Sequence, residues 1–155
     1  MDNSSLQEIE TRVRESFARQ AFMQLLRAQL SRVERGRTEI EFPFSSSLTQ
    51  QNGFIHAAAV TAVLDSSCGY AALSVAPDGV DVLSVEFKVN LLAPAAGDKF
   101  IARAEVKRAG RTLTVCSADA FAVSRDGEKL IASMLATIIR LPIAGEANAR
   151  PSAMD

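Results

Sequence analysis

A long apolar stretch in the middle of the chain, residues 50–73, limits the possible folds more than any other feature. It reads QQNGFIHAAAVTAVLDSSCGYAAL. The apolar side chains leave it no wide polar face, so a helix formed here must be buried on nearly all sides. The stretch is too short and too interrupted to span a membrane. The other elements are therefore expected to surround this helix.

One carboxylate, Asp65, lies within this apolar stretch. A charged side chain is rarely buried unless it has a partner or a chemical task. Composition leaves two interpretations equally open. Asp65 is either a buried carboxylate paired with a main-chain or hydroxyl donor, or a catalytic group.

The start of the predicted helix is a second candidate site. The polar residues Gln50–Gly53 predict a turn, and the helix is expected to begin around His56. The first N–H groups of a helix have no intrahelical partner and carry the positive end of the helix dipole, so they can stabilise a developing oxyanion. The small side chains of Ala57 and Ala58 would let a substrate carbonyl approach this backbone.

Composition excludes several classes of protein. The 155 residues predict one domain with its own core, and the formal net charge of −1 disfavours a nucleic-acid-binding surface. Cys68 and Cys116 lie in apolar segments, as expected for buried thiols in a reducing compartment, and one histidine excludes a histidine-rich metal centre. Because no segment resembles a signal peptide or a membrane span, a cytoplasmic location is expected.

The N-terminal part of the chain predicts an amphipathic helix. Residues 4 to about 27 carry apolar side chains at a mostly i, i+4 spacing, with a break near Gln20. Ser4 or Ser5 is expected to cap the helix. Too few basic residues line one face for a membrane-surface role, so the helix is expected to pack on the surface of the domain.

The remaining segments predict β-structure. A short strand to Val33, a turn at residues 34–36 and a strand over residues 38–44 form a hairpin before the central helix. Four strand-like segments follow the helix and are expected to form an antiparallel meander. They cover residues 83–91, 100–107, 112–123 and 130–141.

The pattern within these strands predicts how the sheet is covered. Residues 83–91 alternate strictly, with apolar side chains on one face, whereas residues 112–123 and 130–141 are apolar on both faces. A sheet curled around the central helix would bury one face, and a partner chain is expected to cover the other. The chain after Pro142 is expected to be disordered. The predicted fold class is α+β.

Three segments together resemble the hotdog-fold thioesterases, specifically the acyl-coenzyme A (acyl-CoA) thioesterases of the phenylacetate-pathway type. They are GFIHAAAVTAVLDSSCGYAA, VEFKVNLLAPAAGDKFIA and RAGRTLTVCSADAF. The resemblance runs from about residue 22 to residue 141. It implies a helical segment at residues 1–27, a hotdog domain at residues 28–142, with an antiparallel sheet wrapped around a long central helix, and a flexible tail at residues 143–155.

The resemblance also implies a catalytic site. In the family, the central helix opens with His-Gly-Gly and carries an acidic residue nine positions after the histidine. His56 and Asp65 keep this spacing, while alanines replace both glycines. The backbone N–H of Ala57 would polarise the thioester carbonyl, and Asp65 of the neighbouring subunit would act as general base or nucleophile. Gln50 would orient the water or carbonyl, and Ser84 would hydrogen-bond near the carboxylate.

Other positions match the family's substrate-binding segments. The loop expected to contact the CoA moiety contains Arg108, Gly110, Arg111 and Thr112. Asn52 and Gly53 belong to the turn before the helix and are also assigned to substrate binding, although close relatives commonly have histidine in place of Asn52. For His56, a helix-start or packing role is the alternative to a catalytic one.

The resemblance implies hydrolysis of an aromatic or medium-chain acyl-CoA to the free acid and CoA, without a metal or bound cofactor. It also implies a homodimer, assembled further as a dimer of dimers. Two alternatives stay open. One is a non-catalytic protein that binds acyl thioesters, which the alanines at positions 57 and 58 favour, and the other is an acyl-thioester hydratase or dehydratase.

Overall fold

The computed structural model describes residues 3–142 and the side chains of residues 6–142. It contains three α-helices, a six-stranded sheet and one short 3-10 helix. In chain order these are α1 (Asn3–Ala18), α2 (Ala21–Leu25), β1 (Gln29–Glu34), β2 (Arg37–Pro43), the 3-10 helix (Ser46–Leu48), α3 (Ala57–Leu73), β3 (Val80–Leu91), β4 (Lys99–Ala109), β5 (Leu113–Ser124) and β6 (Gly127–Pro142). The predicted tail after Pro142, and capping by the side chains of Ser4 or Ser5, lie outside the described residues.

The central helix α3 packs against the inner face of the sheet and supplies much of the core. Val63, Leu64 and Cys68 are almost completely buried. Thr38 on β2 donates a 2.8 Å hydrogen bond to the carbonyl of Ser67, which ties the helix directly to the sheet. The predicted α+β fold, a sheet wrapped around a long helix with an N-terminal helix, is therefore confirmed.

The order of the strands differs from the predicted meander. The sheet is antiparallel with the order β1-β2-β4-β5-β6-β3, so only β4, β5 and β6 form a meander, and β3 lies at the far edge beside β6. The segment 92–98 crosses the end of the sheet, where the N–H of Leu92 donates to Ile131 and that of Asp98 to Val123, both at 2.8 Å. Alternation along a strand indicates its buried face but not its neighbour, so the sequence could not reveal this crossover.

The sequence predicted that the last two strands are apolar on both faces. In the structure, the outer face of the sheet also carries polar and charged side chains. Arg103 forms ion pairs with Glu128 at 2.6 Å and Glu39 at 3.5 Å, and its guanidinium lies 4.8 Å from the centre of the Phe121 ring. Asp119 accepts a hydrogen bond from Ser133 on the same face. These polar groups pair with one another and do not need to be covered. This face is therefore a weaker reason to expect a partner chain than the sequence had indicated.

Exposed apolar side chains are instead concentrated on the edge strand β3. Leu83, Val85, Phe87 and Leu91 are 59%, 55%, 42% and 57% exposed. On its free edge, β3 also presents main-chain groups that no other strand in the described residues pairs. A long apolar edge strand of this kind is a common site for pairing with another chain.

A β-bulge lies between Ser84 and Glu86. The predicted strict alternation of this strand is therefore wrong at this point. Ser84 pairs with the buried residue Ile138, and Phe87 pairs with the buried residue Ala136, so both face the helix side of the sheet. In a regular strand, residues 84 and 87 would point to opposite faces. The bulge therefore lets one strand turn the Ser84 hydroxyl and the side chains of Phe87 and Leu91 toward the helix side of the sheet.

The N-terminal helix is fixed to the end of α3 by Arg12. The helical segment breaks before α2 at Gln20, as predicted, and Val13 of α1 is completely buried. The Arg12 guanidinium donates to the carbonyls of Leu73 and Ala76 at 2.9 and 2.8 Å. A cation at the C-terminal end of a helix also interacts favourably with the helix dipole.

Replacing Arg12 by alanine should destabilise the protein, because the carbonyls at the end of α3 lose a charged donor. We expect the free energy of unfolding in urea to fall by about 1–3 kcal/mol. Arg35 lies exposed in the β1–β2 turn, so Arg35→Ala is the matched control, with a change within about 0.5 kcal/mol. Equal effects of the two substitutions would show that Arg12 does not stabilise α3.

Candidate active site

His56 caps the N-terminus of α3. Its backbone is extended, with φ −63° and ψ 138°, and its Nδ1 accepts a 2.9 Å hydrogen bond from the N–H of Ala58. A ring nitrogen that accepts a hydrogen bond is unprotonated, so the neutral imidazole carries its proton on Nε2. This geometry gives His56 a helix-start role, which was the alternative to a catalytic one.

Capping leaves one N–H of the first turn free. The N–H of Ala58 binds His56 Nδ1 and that of Ala59 binds the His56 carbonyl at 3.0 Å, whereas the N–H of Ala57 has no acceptor within the described residues. Neither alanine that replaces a family glycine has a positive φ. The helix start therefore needs no glycine here, and Ala57 offers an open N–H donor at the positive end of the helix dipole.

A cavity of about 680 Å³ opens beside Ala57. Among the described residues, no Asp, Glu, Lys or Arg side chain lines it. Its walls include the apolar residues Phe54, Val60, Leu91 and Leu92, together with the polar residues Gln50 and His56. The free N–H therefore borders a largely apolar space suited to an uncharged group.

The turn before α3 is organised by Gln50. The side-chain oxygen of Gln50 accepts a hydrogen bond from the N–H of Asn52, and its carbonyl accepts one from Gly53 at 3.0 Å. Gly53 has φ +83°, which a residue with a side chain rarely adopts. Gln50 thus lines the cavity, whereas Asn52 and Gly53 shape the turn and do not line it.

Asp65 lies on the least buried stripe of α3 and is bound by Ser84. The Ser84 hydroxyl donates a 2.5 Å hydrogen bond to Oδ1 of Asp65. Asp65 is half-buried rather than enclosed on all sides. The predicted proximity of Ser84 to the carboxylate is present, and the hydrogen bond leaves the second carboxylate oxygen available for chemistry.

Asp65 and Ser84 face a second, smaller cavity of about 220 Å³. Ser16 and Gln20 from the N-terminal segment, and Gly69 and Tyr70 from α3, also line it. Sequence reasoning missed Ser16 and Gln20 because only tertiary packing brings them to Asp65, and it overlooked Gly69, which lies one turn along the same helix. Eight residues of helix separate Asp65 from Ala57, a distance of about 12 Å. Within one chain, the carboxylate and the free N–H therefore face different cavities.

The predicted CoA-binding loop is the β4–β5 turn, which borders neither cavity. The N–H of Gly110 donates to the carbonyl of Leu113 at 2.8 Å, and Thr112 accepts from the N–H of Arg140 at 2.9 Å. The side chains of Arg108 and Arg111 are exposed. The structure thus places this loop apart from the other predicted site residues.

The two cysteines are fully buried, as predicted. Burial raises the pKa of Cys116 to about 12 and also raises the pKa of Cys68 well above its usual value. Both thiols therefore stay protonated at neutral pH and are poor nucleophiles. The Asp65 carboxylate is therefore a stronger candidate for a nucleophile or general base than either cysteine thiol.

The part of the chain that the structure describes holds neither a metal site nor a helix that could span a membrane. There, no three His, Cys, Asp or Glu side chains are grouped as a metal site would require. None of the described helices combines the length and the apolar character needed to cross a membrane.

Comparison with known proteins identifies the family. The thioesterase superfamily matches residues 52–128 of this chain. The crystal structure of a thioesterase family protein from Silicibacter pomeroyi has 49% sequence identity and a TM-score of 0.85, over 86% of this chain and 98% of that one. The chain therefore belongs to the thioesterase superfamily.

More distant matches agree on the fold. The Escherichia coli PaaI protein from the phenylacetic acid degradation operon has 17% identity and a TM-score of 0.78, over 87% of this chain and 94% of that one. A Saccharolobus solfataricus protein named "Putative esterase SSO2140" is 32% identical over 83 residues, which span 54% of this chain and 59% of that relative. The predicted membership of the thioesterases is confirmed by the first two matches, and the predicted hotdog fold by the structural ones.

Replacing Ala57 by proline should remove the free N–H while keeping the fold. Proline is favoured at the first helical position, and His56 already has the extended backbone that a following proline requires. We expect the kcat of thioester hydrolysis to fall on the order of a hundredfold, the scale of losing one oxyanion donor.

The control is Ala57→Gly, which keeps the N–H. Circular dichroism and thermal denaturation check that both variants are folded. If both folded variants hydrolyse thioesters at the same rate, the backbone of residue 57 is not an oxyanion donor.

Proposed function

We propose that this protein hydrolyses acyl-CoA thioesters to a free acid and CoA, in active sites that two copies of the chain form together. The observation that carries the proposal is the separation of the two reactive groups. Asp65 and the free N–H of Ala57 lie on one helix about 12 Å apart and face different cavities. Two α3 helices packed antiparallel would bring Asp65 of one copy beside Ala57 of the other.

The edge strand β3 supports the pairing of two copies. Phe87 and Leu91 lie on the helix side of the sheet, yet they are exposed because α3 of the same chain does not cover the edge. A second copy that pairs along β3 would satisfy the free main-chain groups and bury these side chains. The interface would be isologous, so it would create two identical sites. We propose a homodimer as the catalytic unit, with a dimer of dimers as the larger assembly.

The proposed reaction uses the two groups on opposite sides of the thioester carbonyl. The N–H of Ala57, assisted by the helix dipole, would stabilise the negative charge that develops on the carbonyl oxygen. Asp65 would take a proton from a water molecule that attacks the carbonyl carbon, or it would attack directly and form an anhydride that water then hydrolyses. In both routes the C–S bond breaks, and the CoA sulfur leaves as a thiolate that is then protonated. Ser84 would orient the carboxylate.

The acyl group is proposed to be uncharged, aromatic or of medium chain length. Among the described residues, two carboxylates and no Lys or Arg side chain line the cavity that contains Asp65, so an acyl group with its own carboxylate would be repelled there. The apolar wall of the larger cavity suits the uncharged pantetheine arm next to the thioester. The exposed guanidinium groups of Arg108 and Arg111 would contact the phosphates of CoA from the surface. The buried free thiols support a reducing compartment, and we propose the cytoplasm as the location.

Replacing Asp65 by asparagine should abolish most of the activity. The change keeps the side-chain volume but removes both the base and the nucleophile. We expect kcat to fall by on the order of a hundredfold or more, with little change in KM, in steady-state assays with phenylacetyl, benzoyl and straight-chain acyl-CoA.

The matched control is Asp126→Asn, which removes the same charge from the exposed β5–β6 turn. Normal turnover by a folded Asp65→Asn protein would contradict the catalytic role. If the parent protein binds these thioesters but hydrolyses none of them, it is a thioester-binding protein instead.

If each active site is formed by two copies of the chain, a mixture of the inactive Ala57→Pro and Asp65→Asn variants should regain activity. In a mixed dimer of Ala57→Pro and Asp65→Asn chains, one site carries both substitutions and the other carries neither. After the variants are unfolded and refolded together, random pairing should restore about a quarter of the parental kcat. Each variant refolded alone is the control. An inactive mixture would place both groups in the site of a single chain.

A further inference from the structure

The cavity beside Asp65 contains space that the sequence keeps open with a glycine. Gly69 lies one helical turn after Asp65 and lines the same cavity. A Cβ atom added to Gly69 would have no neighbour within 4 Å. Glycine within a helix is less stable than alanine, and here no close packing requires it. A side chain at position 69 would therefore not destabilise the fold of this chain. The open space is thus not required for stability, which points to a role in binding.

The N-terminal segment contributes Ser16 and Gln20 to the wall of this cavity. Gln20, at the break between α1 and α2, has its Oε1 at 3.4 Å from the Ser66 hydroxyl and 3.5 Å from the Tyr70 hydroxyl. Ser66 and Tyr70 are each only 8% exposed. Gln20 thus connects the N-terminal segment to α3 through polar contacts, and all three residues line the cavity that contains Asp65.

The sizes of the two cavities differ as the two halves of a thioester do. The pantetheine arm of CoA continues to a nucleotide in solvent, so it needs the larger space, which the cavity of about 680 Å³ provides. The acyl group ends, so it fits the cavity of about 220 Å³ that Gln20 and Gly69 line. Among the described residues, this smaller cavity is lined by Asp65 and Asp81 and by no Lys or Arg side chain, so an acyl group with its own carboxylate would be repelled.

We infer that the cavity over Gly69 receives the acyl group and that Gln20 and Gly69 determine its maximum length. The inference rests on the proposed hydrolysis of acyl thioesters. An apolar chain that reached Gln20 would displace the contacts of the carboxamide with two buried hydroxyl groups without replacing them, which is unfavourable. The polar contacts of Gln20 would thus limit the length of the acyl group, and the absent side chain at Gly69 leaves room for it in the same cavity.

The test is the chain-length profile of kcat/KM with straight-chain acyl-CoA substrates from acetyl to dodecanoyl. Gly69→Ala and Gly69→Val should shorten the profile progressively, lowering kcat/KM about tenfold or more for the longest acyl groups that the parent accepts, while acetyl-CoA changes little. Gln20→Ala should lengthen the profile. Gln7→Ala, an exposed change on α1, is the matched control and should leave it unaltered.

Thermal denaturation gives an independent readout. Gly69→Ala should raise the melting temperature, because alanine favours the helix and meets no neighbour. Profiles that stay identical to the parent's in folded Gly69→Val and Gln20→Ala variants would overturn the inference but leave the proposed hydrolysis standing.

A second experiment, which measures binding, distinguishes failure of this inference from failure of the proposed hydrolysis. Calorimetric binding of the same acyl-CoA series to the Asp65→Asn protein, with and without Gly69→Val, reports the cavity without turnover. Selective loss of affinity for the longer acyl groups supports the inference even if the parent hydrolyses none of them. Equal affinities in both proteins overturn it.

Discussion

Close packing of α3 on the inner face of the sheet is the contact on which the rest of the structure depends. The helix can approach the strands because its buried face carries small side chains such as Ala71 and Ala72, and the buried face of β5 carries Ala118 and Ala120. The hydrogen bond from Thr38 to the main chain of Ser67 fixes its position. The same helix carries both candidate reactive groups. Burial of one face therefore sets where both groups point.

Patterns within single segments were sufficient to predict most elements, whereas contacts between segments were not. The composition of α3, the break near Gln20 and the β1–β2 hairpin follow from local periodicity and turn residues. The edge position of β3 depends on a crossover that leaves no local signal, and the bulge after Ser84 is invisible in a regular alternation. The approach of Gln20 to the Asp65 cavity likewise depends on how α1 packs on α3, which Arg12 helps to fix.

The family resemblance and the structure contribute different parts of the candidate site. The spacing of His56 and Asp65 pointed to the helix start and to the carboxylate, and the position of Ser84 pointed to its partner. The structure added that His56 Nδ1 is engaged in capping and that alanines in place of the family glycines leave the N–H of Ala57 free. Because the donor is a main-chain group, most side chains at position 57 would preserve it.

The pairing of β3 with β6 has a consequence for how the chain is made. Val80 pairs with Pro142, so the two strands are far apart in sequence although adjacent in space. On the ribosome, β3 emerges while its neighbour has yet to be translated, and its apolar side chains lack their native cover during that interval. Pairing across a long loop is also intrinsically slow. Completion of the sheet must therefore wait for the last strand to leave the exit tunnel, and a message truncated within β6 would yield a chain that cannot close its own fold.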